Sequence, residues 1–99
     1  MIRLTEVVQT DLLAKVKAEG ELTEGTLQVL VQALEEYRRQ GLSEVWLLAD
    51  GLVAIDQRAL EQAWPRLPDG LSVVFHTSRF FLQQILQACG VKVVFVDSK

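Results

Sequence analysis

The sequence predicts an α/β fold: a mixed β-sheet with three helices mainly on one face, in the order β-β-α-β-α-β-α-β. Three observations point there. Residues 12 to 19 alternate strictly, Leu12, Ala14, Val16 and Ala18 against Leu13, Lys15, Lys17 and Glu19, as a strand with one wet face does. Val45 to Ala49 is apolar without interruption, the pattern of a central strand covered on both faces. Two longer stretches, 27–37 and 81–89, carry apolar residues at helical spacing.

Each element has a local cause. Residues 2 to 9 alternate loosely, with Ile2, Leu4 and Val8 on one side, and Thr10-Asp11 reads as the turn of an antiparallel hairpin. Gly20 is expected to end the second strand. Thr23 then caps the first helix, with Leu22 and Leu27 at the N′ and N4 positions of a hydrophobic staple. Leu27, Leu30, Val31, Leu34 and Tyr37 share its inner face. Arg38 and Arg39 suit the negative helix end, and Gly41 suits C′. After Val45–Ala49 a short loop leads to a second helix opening at Gln57. Its inner face is Leu60, Ala63 and Trp64, and it is short because Pro65 and Pro68 cannot continue it. Leu71, Val73 and Phe75 form the next strand. Thr77 or Ser78 is expected to cap a third helix facing inward through Phe81, Leu82, Ile85 and Cys89. Gly90 stops that helix, and Val91 to Val96 is the last strand.

Glu44 to Leu60 reads EVWLLADGLVAIDQRAL, and that strand–loop–helix junction resembles the signature of STAS domains, the family of bacterial anti-sigma-factor antagonists. Members typically read D-S-S-G-L at the helix start, and a partner kinase phosphorylates the first Ser. Asp56 and Leu60 hold their places here, whereas Gln57, Arg58 and Ala59 replace Ser, Ser and Gly. Gly20-Glu21-Leu22 is similar to the family's G-E-L turn, and Leu71 to Val96 is similar to its closing strand–helix–strand, so the resemblance spans nearly the whole chain.

That resemblance implies a non-enzymatic, protein-binding domain. It implies docking through the helix after Asp56, with Asp56, Gln57, Arg58, Glu61 and Gln62 as partner-binding residues. The partner would be a protein, often an ATP-binding one such as an anti-sigma kinase. Gln57 stands at the phosphosite without a hydroxyl or a charge, so it neither accepts a phosphate nor imitates the roughly -2 charges of one. Family members without the switch include small subunits that bind the ATPase of lipid-transporting ABC systems, and sensor or scaffold proteins. A reading from another class also stands: a small-ligand sensor, or an enzyme using His76 and nearby hydroxyls.

Composition narrows the field. Ninety-nine residues suit one domain spanning 1–99, and 49% hydrophobic residues can fill a core. A net charge of -3, with Lys15, Lys17, Arg38 and Arg39 interleaved with acids, argues against nucleic acid as a partner. One cysteine allows no internal disulfide, and Cys89 reads as a small buried hydrophobe. The alternating N-terminus lacks a signal-peptide pattern, and no apolar run approaches the ~20 residues of a membrane span, so a cytoplasmic setting without membrane insertion is expected. No cofactor or metal is implied.

Weaker motifs are set aside on chemistry. Asp50-Gly51 reads as a turn, or Asp50 as a phosphoacceptor like that of response-regulator receivers. A receiver also needs an acidic pair after the first strand and a lysine at a late strand end. Thr10-Asp11 and an internal Lys92 do not supply them. His76 has no second ligand or carboxylate near it in sequence, and no glycine-rich phosphate loop is present. On the outer helix faces Phe80 and Val29 stand among polar residues, and Phe80 is a candidate contact point.

Overall fold

Residues 1–67 and 69–96 are described by a computed structural model. Five strands form one sheet whose spatial order, β1-β2-β3-β4-β5, repeats the chain order. β1 (Ile2–Gln9) pairs antiparallel with β2 (Leu13–Leu22). β2 and β3 (Glu44–Ile55), β3 and β4 (Ser72–Thr77), and β4 and β5 (Val93–Phe95) pair in parallel. The crossovers are α1 (Glu24–Arg39), α2 (Gln57–Ala63) with a 3-10 turn at Trp64–Arg66, and α3 (Phe80–Ala88).

Every crossover steps in the same direction across the sheet. Right-handed crossovers that all step one way must lay their helices on the same face. Registers confirm the result: Ala14, Val45 and Val73 form one buried row, and Val16, Leu47 and Phe75 form the next. Leu27, Leu30 and Leu34 of α1, Leu60 of α2, and Leu82 and Leu86 of α3 cover these rows. Full burial of each such leucine contributes about 1.5–3 kcal/mol. Among the described residues the opposite face carries no helix.

Local chemistry fixes the helix ends as expected at α1. Thr23 Oγ1 accepts from Thr26 N–H at 3.3 Å, and Thr26 Oγ1 accepts from Thr23 N–H at 2.8 Å. Gly41 at C′ has φ +92°, a conformation that costs glycine little. Tyr37 Oη donates to Glu6 at 2.8 Å, tying α1 to the edge strand. Burial and that bond push the tyrosine pKa up to about 12.

Several expectations need correction. Gly20 does not end β2, which continues to Leu22; it takes φ +108° beside Met1, whose carbonyl accepts from Glu21 N–H at 3.0 Å. A Cβ at Gly20 would collide with that carbonyl oxygen, so the residue permits close strand approach rather than a turn. β3 does not stop at Ala49. Register shifts at Lys17/Glu19 and Gly20/Glu21 keep β2 in pairing range, so β3 runs through the expected loop to Ile55.

Nor is β3 covered on both faces: Val45, Leu47 and Ala49 are buried, while Trp46 and Leu48 lie half-buried on the helix-free face. In α3 and at its C-cap, Leu82 and Cys89 are buried as expected and Ile85 is half-buried, but Phe81 is 66% exposed and Leu86 takes the inward place beside them. Leu12 lies outside β2 and is exposed, and β5 begins at Val93 rather than Val91. Pro68, expected as a second helix breaker, lies outside the described residues; Pro65 is the second residue of the 3-10 turn, where its fixed φ is tolerated.

Candidate functional site

Four of the five expected docking residues lie on one short helix at the end of the central strand, and the fifth, Asp56, caps it. β3 hands directly to Asp56, whose N–H donates to Leu22 O at 2.7 Å. Asp56 is extended, and its Oδ1 accepts from Ala59 N–H at 3.1 Å, so it is the N-cap of α2. Leu60 is fully buried and anchors the helix. Gln57, Arg58, Glu61 and Gln62 fall at i, i+1, i+4 and i+5, and all four side chains are exposed. An Arg58–Glu61 ion pair, which would relieve the cation at the helix N-terminus, does not form among the described residues.

Two neighbours frame α2. Beside it, Glu24, Leu27, Gln28 and Gln32 of α1 with Ala59 and Gln62 of α2 line an open groove of about 380 Å³. On its other flank Cys89 Sγ lies 3.9 Å from Gln57 O. Burial, with Glu61 nearby, pushes that thiol up from its usual pKa. The buried-hydrophobe reading of Cys89 agrees with this placement.

A polar centre of equal order was not visible in the sequence. Asp50, expected at a turn, is a strand residue. Its Oδ1 accepts from Thr77 Oγ1 at 2.6 Å and Ser78 N–H at 2.8 Å, and its Oδ2 accepts from Ser78 Oγ at 2.6 Å. Arg79 Nη1 donates to the carbonyls of Asp50 and Leu52 at 3.1 and 3.0 Å. Burial would raise the Asp50 carboxyl, but the Ser78 and Thr77 hydrogen bonds and the Arg79 charge outweigh it and hold the pKa below the ordinary value.

Thr77 and Ser78 are therefore occupied by Asp50, and the N-cap of α3 is Arg79, without a side-chain cap bond. Strand register was the signal available: Leu48 pairs with His76, so Asp50 arrives beside Ser78. With both oxygens engaged, the carboxylate acts as a clasp between β3 and the β4–α3 connection.

His76 lines an open pocket of about 340 Å³ together with Asp50, Thr77 and Ser78, but among the described residues no hydrogen bond joins its imidazole to that carboxylate or those hydroxyls. It stacks on Trp46 at 4.4 Å on the helix-free face, and Lys15 Nζ lies 4.6 Å over the same indole. Trp46 Nε1 donates to Glu44. Burial, then Lys15 against an opposing pull from Glu44, lowers the imidazole pKa. Among the described residues no cluster of three or more His, Cys, Asp or Glu gathers as a metal site, and no helix is long and apolar enough to cross a membrane.

No protein-family model and no curated protein matches the sequence. Solved structures do match. An anti-sigma factor antagonist from Mycobacterium paratuberculosis is similar with TM-score 0.68 at 11% identity, over 94% of this chain and 85% of that one. The anti-sigma factor antagonist SpoIIAA in its unphosphorylated form is similar with TM-score 0.70 at 11% identity, over 95% and 88%. At that identity the likeness speaks to fold, and the fold of this chain is that of a STAS-like domain.

Proposed function

We propose that the chain is a non-enzymatic interaction domain that binds a partner protein, an ATP-binding one, through α2, without a phosphorylation switch. One observation carries this reading. Helix α2 is held by a cap and one buried leucine, yet presents Gln57, Arg58, Glu61 and Gln62 to solvent in a contiguous patch. Rigid backbone under free polar side chains is what a docking surface requires. The adjoining groove between α1 and α2 offers room for a partner side chain beside Gln62. The names of the similar structures, anti-sigma factor antagonists, also support binding to a protein.

Gln57 at the helix start supplies no oxygen nucleophile, so partner capture is constitutive at this position. The non-enzymatic reading draws support from Asp50 and His76: the first has both oxygens engaged in hydrogen bonds and the second is stacked on an indole. Exposed charges contribute little to folding, about 0.5 kcal/mol or less. Arg58→Glu is therefore expected to reduce recovery of the partner from native lysate strongly while the melting temperature stays within a degree or two of wild type. Mass spectrometry of captures by the two baits decides the matter. Equal recovery of an ATP-binding protein by both would move the interface off α2.

A further inference from the structure

The two edges of the sheet differ in kind. β1 is broken by a register shift between Glu6 and Val8 and carries Arg3 and Glu6, features that discourage edge pairing. β5 has none of these. Val94, Phe95 and Val96 are 46%, 43% and 44% exposed, and no charge interrupts 93–96.

The hydrogen bonds of β5 fix which backbone groups remain open. Phe75 N–H donates to Lys92 O at 2.9 Å, and Val96 N–H donates to Thr77 O at 2.7 Å. Alternate residues of a parallel strand aim the same way, so Val94 is committed to β4. The N–H and C=O of both Val93 and Phe95 point out from the sheet edge.

We propose that this edge pairs with β5 of a second copy of the chain, antiparallel, about a twofold axis through Val94. That register sets Val93 opposite Phe95 of the partner and Phe95 opposite the partner's Val93, and each pair exchanges two hydrogen bonds. The same strand thus supplies both halves of the contact, as an isologous interface demands. Charge agrees with self-pairing: Lys92 falls opposite Val96 of the partner, so no cation meets its own copy. Pairing of β5 to β1 would build open fibres, and the irregular, charged β1 edge disfavours it. Only residues 92–96, five a side, meet, so the dimer is a weak one that forms with concentration. This contact is independent of α2 and of what α2 binds.

Sedimentation velocity of the full chain from micromolar to millimolar concentration tests the proposal. Wild type should move from monomer toward dimer, and amide exchange at Val93 and Phe95 should slow with concentration while Val94 stays unchanged. Phe95→Pro removes an outward N–H and leaves the bonds to β4 in place. Val94→Lys places two cations across the axis. Both folded variants should remain monomeric where wild type dimerises, and if Phe95→Pro fails to fold, Val94→Lys decides. A wild type that stays monomeric throughout, a dimer that persists in either folded variant, or a dimer that leaves Val93 and Phe95 exchange unaltered overturns it.

Discussion

Asp50 shows how much one carboxylate can organise. It joins the central strand to the start of α3 through three accepted hydrogen bonds, two of them from hydroxyls. Thr77 is buried, and without Asp50 its hydroxyl loses its acceptor. Asp50→Ala should lower stability by about 1–3 kcal/mol at neutral pH. The folded carboxyl titrates below its ordinary value, so its stabilisation is present above the unfolded pKa of about 3.9 and is lost as pH falls through the folded one. Urea unfolding across a pH series should show the wild-type advantage over Asp50→Ala narrowing in acid. A gap that stays constant from neutral to acid would assign the loss to packing instead. The sequence hid this residue because its partners lie 27 and 28 positions away, whereas Thr23, Gly41 and Asp56 act on neighbours within a turn and were legible.

At the scale of elements, α2 is the one whose existence hangs on its ends. Seven residues are too few to be helical alone, so the cap and Leu60 must hold it. Asp56→Ala should cost about 1 kcal/mol, read by chemical denaturation with unchanged partner-free fold by circular dichroism. A loss near zero would mean that Leu60 suffices. Periodicity made the strands and helices legible in type and order. Their limits were less so, because pairing decides them: β3 runs on past Ala49 where β2 stays within reach, and no property of 50–54 taken alone says so. The inner face of α3 was misread at one position, Phe81, for a similar reason. Both Phe81 and Leu86 fit a helical stripe with Leu82, and periodicity alone does not choose between them; in the fold Leu86 is buried and Phe81 exposed.

For the whole molecule, the sequence carried the fold class through to a sheet covered on one side, but the apolar run 45–49 suggested two covered faces. Trp46 and Leu48 are apolar for another reason: they build a stacked surface with His76 on the helix-free side. The docking reading makes a prediction about the intact chain. Incubation with ATP and a kinase that phosphorylates STAS serines should leave its mass unchanged, because Gln57 has no hydroxyl. A phosphoryl adduct mapped within residues 50 to 64 would count against it. The matching of spatial and chain order bears, finally, on how such a sheet is assembled. Each strand joins the edge left by the one made before it, and none has to insert between two strands already paired. Loop-closure entropy is thus met one segment at a time, and the N-terminal hairpin can serve as template for the strands that follow it in the chain.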